Sequence, residues 1–251
     1  MARLTGFGAA LAVLFLPLAE PASAQDAPQE IRAQLTPRES TTLAAEIGAK
    51  VERLGAREGE RFRKGQILAA FDCSVQKSQV TEARAALTAA ERTVAVDRRL
   101  FELKSIGGLE KDLAAAEEEK ARAKVAEGMA VLAKCTIFAP FDGRVAEQKV
   151  HPQQFVQLGQ PLMDILDDSV LELEFVVPSR WLAWLKPGYA FQAAIDETGR
   201  TYAANLSRIG ARIDPVTQTV KVVGVISGPH ADLLAGMSGR ILITPPPGLA
   251  H

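Results

Sequence analysis

The chain of 251 residues is long enough for one or two domains with substantial cores. Its 29 basic and 30 acidic residues leave a net charge of −1, and aromatic residues make up only 6%. That balance excludes the basic field nucleic acid needs and a stacking platform for single strands, so no nucleic-acid partner is expected.

Residues 1–24 read as a signal peptide. Arg3 supplies the positive start, Leu11-Ala-Val-Leu-Phe-Leu-Pro17 a short apolar stretch, and Ala22-Ser23-Ala24 a small-x-small cleavage site. A retained anchor is the rival reading, but Pro17 and Glu20 leave the apolar run short of the roughly 20 residues a span requires. No Cys stands at the cleavage site, so a lipid anchor is not expected. The expectation is a soluble mature chain starting at Gln25 in an exported compartment, the bacterial periplasm. Residues 25–40 are polar, with Ile31-Arg-Ala-Gln-Leu35 a possible edge strand.

A repeat follows, split by an insert. Residues 43–71 and 137–165 superimpose at a constant offset of 94 without a gap. Val51 meets Val145, Phe62 meets Val156, Leu68 meets Leu162, Gly65-Gln66 meets Gly159-Gln160, and Ala45 meets Ala139. Each half alternates apolar and polar residues around turns at positions such as Gly55, Gly59 and Gly65, a β unit that needs its copy to close a core. The two halves are assigned to residues 41–72 and 136–167.

Between them, residues 73–135 are rich in Ala, Glu, Lys and Arg and nearly free of breakers. Val80, Ala83, Leu87, Ala90 and Val94 alternate steps of three and four, the seam of a coiled coil. The register weakens at Asp97 and resumes at Phe101. Ser105-Ile106-Gly107-Gly108 suits a reversal, because paired glycines disfavour helix. Ala114, Ala121, Val125 and Leu132 form the returning seam, with Glu117-Glu118-Glu119, Lys120, Arg122 and Lys124 facing solvent. Arms of 25–30 residues make a helical hairpin reaching about 40 Å.

Both cysteines, Cys73 and Cys135, stand at the roots of this insert. A hairpin brings its roots together, and an oxidising compartment would then join them in a disulfide; the alternative is a pair of small buried hydrophobes. The absence of C-x-x-C spacing argues against a redox-active pair.

From residue 168 to 245 the pattern changes to short strands: Val170-Leu-Glu-Leu-Glu-Phe-Val-Val177, then 191–195, 201–209, 220–226 and 241–243. Pro178-Ser-Arg-Trp-Leu-Ala-Trp-Leu185 reads as a short amphipathic helix, with Trp181 and Trp184 capping a core. Together they suggest a small antiparallel β-barrel, to which strand 30–36 could belong. Pro245-Pro-Pro-Gly248 ends structure.

Chemistry is poorly supplied. His151, His230 and His251 are isolated, Asp142 and Asp214 look like turn formers beside Gly143 and Pro215, and Met129, Met163 and Met237 are scattered packing residues. No catalytic residue, metal site or cofactor is assigned, and an enzyme is not expected. A lipoyl or biotinyl carrier would need a lysine at the tip of a tight β-hairpin, and at that place, where the helical insert enters, Phe71-Asp72-Cys73 offers none.

Three blocks carry a family resemblance. Val51…Glu58-Gly59-Glu60-x-Phe62-x-Lys64-Gly65-Gln66-x-Leu68…Asp72 resembles the first half of a lipoyl-like domain. Thr136-Ile-Phe-Ala-Pro-Phe-Asp-Gly-Arg-Val145 with Val156-x-x-Gly159-Gln160-x-Leu162 resembles the second. Ile213-Asp214-Pro215-x-Thr217-Gln218-Thr219-Val220 and Leu234-Ala-Gly236-Met237 resemble a barrel signature. In this order the chain resembles the periplasmic adaptor proteins, or membrane fusion proteins of haemolysin-D-like type, of bacterial efflux and secretion systems. The resemblance implies a mainly β protein with an α-helical coiled-coil hairpin, acting without catalysis. It would bridge an inner-membrane transporter and an outer-membrane channel, self-associating in a ring. It places partner contact at the hairpin tip, on Arg99, Leu103 and Glu110. Glu110 departs from the drug-efflux branch, which has Ser there, and the chain ends soon after Gly239 where many adaptors carry a membrane-proximal domain. The alternative is an envelope scaffold that uses the hairpin to hold a partner outside any export pump.

Overall fold

The computed structural model describes residues 30–228 and 231–244. The signal-peptide assignment, His230, His251 and the proline-rich tail therefore lie outside the described residues.

The repeat folds as its register demands. The first half forms β2 (Ser40–Ala44), β3 (Ala49–Leu54), β4 (Arg61–Phe62) and β5 (Ile67–Phe71). The second forms β6 (Thr136–Phe138), β7 (Gly143–Gln148), β8 (Phe155–Val156) and β9 (Pro161–Leu166). Adding 94 to β3 and β4 lands on β7 and β8 residue for residue. The two four-stranded sheets, β2-β9-β7-β4 and β6-β5-β3-β8, are exchanged by the same shift, so each draws strands from both halves.

The cores cross over likewise. Ala45, Val51, Phe71, Val156 and Leu162 share one buried cluster, and their counterparts Ala139, Val145, Ile165, Phe62 and Leu68 share the other. Neither half can bury its apolar face without its copy, which is why the repeat pairs rather than stands alone.

Hydrogen bonds repeat the symmetry. The Gly65 N–H donates to Ala139 O at 2.9 Å and the Gly159 N–H to Ala45 O at 2.7 Å. Both glycines hold a left-handed backbone, with φ of 78° and 80°, that a side chain would strain. Asp142 is a tie between the halves, its Oδ1 accepting the Lys64 N–H at 3.0 Å.

Between β5 and β6 rise α1 (Ser74–Glu102) and α2 (Gly108–Ala133). The expected seam residues Val80, Ala83, Leu87, Ala90 and Val94 all face inward, as do Ala114, Ala121, Val125 and Leu132. Two details differ. The register runs through Asp97 to Leu100 without weakening and leaves Phe101 exposed. Glu118 is on the half-buried seam rather than outside, because its i+4 partner Arg122 satisfies its carboxylate there.

The remaining strands make a closed barrel in the order β1-β10-β13-β12-β11-β14. Its strands are β1 (Glu30–Pro37), β10 (Leu171–Pro178), β11 (Ala190–Ile195), β12 (Arg200–Asp214), β13 (Thr219–Ile226) and β14 (Ser238–Leu242). The stretch expected as an edge strand is thus an inner one: β1 pairs with β10 on one side and β14 on the other, closing the barrel. Closure removes the edge altogether, which local sequence cannot reveal. The expected amphipathic helix is shorter, a 3-10 turn over Ser179–Ala183. Its Trp181 is buried in the barrel core, and the Trp184 ring packs against it, tilted by 42° with centroids 5.1 Å apart. β12 outruns its expected end at residue 209, and with β13 makes an arm whose turn is held by Asp214. That carboxylate accepts the Val216 and Thr217 N–H groups, both at 2.9 Å, which hold its pKa below the ordinary range.

Candidate functional site

The candidate contact residues Arg99, Leu103 and Glu110 are carried together at the free end of the hairpin. α2 has 26 residues, so this end stands about 40 Å from the β-sandwich formed by the two four-stranded sheets, whose buried clusters each draw on both.

α1 stops in a Schellman geometry. The Ser105 N–H reaches back to Leu100 O at 2.8 Å and the Lys104 N–H to Phe101 O at 2.9 Å. The left-handed residue this motif needs is Lys104, with φ of 58°. The glycine pair therefore does another job than expected. Gly107 is the extended N-cap of α2, and Gly108 opens that helix. A side chain at φ > 0 costs about 1 kcal/mol relative to glycine.

Apolar side chains crowd this end without being covered. Leu103 is 62% exposed, Leu109 75% and Leu113 62%. The last two escaped the sequence reading because they lie off the seam. A signal was present, since leucines on the polar face of a helix break its pattern. Phe101 is partly shielded by Lys111, whose ammonium stands 4.9 Å above its ring. Arg99 pairs with Glu102 at 3.5 Å, not with Glu110. Glu110 occupies the first turn of α2, where a carboxylate suits the helix dipole.

The mounting at the other end is as definite. The Phe71 N–H donates to Cys135 O at 3.0 Å, and β5 pairs directly with β6. Immediately beyond, Cys73 and Cys135 form a disulfide with Cα atoms 6.2 Å apart, both buried in the first sandwich cluster. Asp72 caps the exit: its Oδ1 accepts the Ser74 N–H at 3.2 Å, which lowers its pKa.

Toward the barrel, Arg61 grips Asp168 with two hydrogen bonds at 3.0 and 2.8 Å, and Arg144 approaches the same carboxylate at 3.5 Å. No group of three or more His, Cys, Asp or Glu side chains able to hold a metal occurs among the described residues. Met163 is buried as expected, whereas Met129 is 41% exposed beside Arg84. The arrangement can hold, space and dock partners.

No protein-family model matches the chain. It is 26% identical over 212 residues to an uncharacterised Haemophilus influenzae protein, covering 84% of this chain and 56% of that one. It is also 26% identical over 231 residues to the nodulation protein NolF of Rhizobium meliloti, covering 85% of this chain and 63% of NolF. The chain thus spans a little over half the length of these curated relatives. Among solved structures, a MacA–MexA chimera carrying the Pseudomonas aeruginosa MexA α-hairpin superimposes with a TM-score of 0.74 at 17% identity, over 84% of this chain and 79% of the chimera. The membrane fusion protein Spr0693 of Streptococcus pneumoniae superimposes with a TM-score of 0.71 at 16% identity, over 84% of this chain and 96% of Spr0693. The fold is that of the membrane fusion proteins. The membrane fusion fold accounts for the sandwich, the inserted hairpin and the barrel in one chain. Among the described residues, no helix is long and apolar enough to cross a membrane.

Proposed function

We propose that the chain is a periplasmic adaptor subunit of an efflux or secretion system, exported by residues 1–24. Residues 41–72 and 136–167 form its lipoyl-like domain, 73–135 its hairpin, and 168–245 with strand 30–36 its barrel domain. In this reading the tip docks on an outer-membrane channel, the barrel sits nearer an inner-membrane transporter, and the lipoyl-like domains pack side by side in a ring.

The supporting observation is the tip itself. Three leucines left open to solvent at the end of a projecting hairpin are the kind of apolar patch that marks a protein contact. Arg99 and Glu110 supply polar rim groups beside them. Glu110 also favours the scaffold alternative, because a carboxylate among these leucines departs from the Ser of the drug-efflux branch.

The test is photo-crosslinking in cells from position 103, with the captured protein identified by mass spectrometry. An outer-membrane channel is the expected product. Capture of another envelope protein, or only of further copies of the chain, would move the reading to a scaffold. Leu103→Asp should weaken co-purification of the partner at least about tenfold, as for a hot-spot residue. Far-UV circular dichroism should stay unchanged, since Leu103 is exposed and outside both helices.

A further inference from the structure

The disulfide is a curious place to spend a covalent bond. It stands just past the β5–β6 ladder, in which Ala70 already faces Thr136. Cys73 and Cys135 pack among Phe71 and Ile137 in the sandwich cluster, which the hairpin seam touches through its innermost residue, Leu132. The bond spans a sequence separation of 62 residues, all of the helical excursion.

The hairpin above it is thinly packed. Among its described residues only Val80 is buried in α1, and none in α2. Gly128 is pressed against Val80, where an added Cβ would come within 2.9 Å of a Val80 methyl. Farther out the seam carries Asp97 and Glu118. Few buried apolar contacts place a segment at the low end of local stability.

These facts meet in the closure of a loop. Were the excursion an unstructured coil, bringing β5 and β6 together would lower the folding constant of the sandwich by about a thousandfold. A folded hairpin supplies that closure, but only while it stays folded. A disulfide supplies it permanently.

We propose that the Cys73–Cys135 bond insulates the sandwich from the hairpin, so that the helices can open and repack locally without loosening the β domain that carries them. The hairpin's own opening is indifferent to the bond, because the native ladder already holds its roots together. The bond acts instead on the sandwich, by removing its dependence on a marginal coiled coil. A hairpin that must adjust to a partner can then do so on a mount that does not respond. The bond plays this part whether the partner is a channel or a scaffold protein.

Hydrogen exchange by mass spectrometry on the full chain tests it in four forms. With the bond intact, Leu87→Asp/Val125→Asp should speed exchange in α1 and α2 at least tenfold and leave β3, β7 and β9 within twofold. In a Cys73→Ala/Cys135→Ala background, the same seam substitutions should speed exchange in those strands by a further factor of ten or more. Faster strand exchange with the bond intact would overturn the proposal. So would equal strand exchange in the Ala background with and without the seam substitutions. A hairpin that stays protected despite both aspartates would refute its marginal packing. Should the alanine pair fail to fold, the bond-intact comparison decides alone.

Discussion

The sandwich has two exits, and the internal symmetry makes them equivalent. A shift of 94 residues carries Cys73 onto Asp167, Ser74 onto Asp168, and Thr41 onto Cys135. At the hairpin exit the chain is joined by a disulfide. At the barrel exit it is joined by the Asp167 N–H to Glu39 O at 2.8 Å, with Asp168 held by Arg61 and faced by the Arg144 guanidinium at 3.5 Å. One exit is covalent and dry, the other ionic and partly wet.

The difference follows from what lies beyond. The barrel has its own core, and its β1–β10 ladder reaches the exit, with Pro37 facing Leu171. That ladder closes the connection, leaving only orientation to be set, which ion pairs can do. The hairpin has no comparable core, so closure at its root falls to chemistry. Two equivalent exits were thus fitted with different joints because one leads to a self-sufficient fold and the other does not.

The comparison breaks most visibly at the bond. Cys73→Ala/Cys135→Ala combined with the opened seam of Leu87→Asp/Val125→Asp should lower sandwich stability by about 4 kcal/mol on the chain-entropy estimate for this loop, and by less where the seam is intact. Denaturant unfolding should show that loss in the sandwich and a barrel transition left in place.

At the barrel exit, Asp168→Asn should lower stability by about 1–2 kcal/mol, the range of a charge-assisted bond that is not fully buried. Exchange across residues 166–171 should rise with it. The wild-type advantage should shrink in 1 M salt, whereas the disulfide's should not. Equal salt sensitivity at both exits would erase the distinction.

A smaller gain is expected at the far end. Lys104→Gly relieves the left-handed backbone and should stabilise the hairpin by about 0.5–1 kcal/mol, less glycine's extra freedom in the unfolded chain. Thermal melting followed by helix ellipticity would register it.

Acid should sharpen the contrast last. Asp72 is held below its ordinary pKa first by the Ser74 N–H, and Asp164 first by Lys149 and then by Thr42. A carboxyl depressed in the folded state binds fewer protons there than in the unfolded chain. Its contribution is complete above the unfolded value and fades as the pH falls below about 4 through the folded one. Unfolding across that window should show a modest loss that Asp164→Asn reduces by its own share and does not abolish.

Much of this was legible in particular residues. The pairing of Val51 with Val145 and of Leu68 with Leu162 announced a doubled β unit, and the two cysteines marked where it had been opened. The seam from Val80 to Val94 could be read because helical period survives in one dimension. Other features could not. Ser105-Ile106-Gly107-Gly108 marked the reversal, but not that Lys104 takes its left-handed turn, because cap geometry depends on which carbonyls remain free. Leu109 and Leu113 break the polar face of their helix, a signal in the sequence, but only the absence of a covering element among the described residues makes them a surface.

The sequence by itself therefore determined the period of every major element, the register of the repeat and the position of the insert, since these are properties of neighbours along the chain. Tertiary structure alone decided that β1 closes the barrel, that the two halves trade strands between sheets, and that Asp168 reaches Arg61 across 107 positions. Those contacts join residues with no local signature of one another. They form because burying both halves' apolar faces at once leaves these groups side by side.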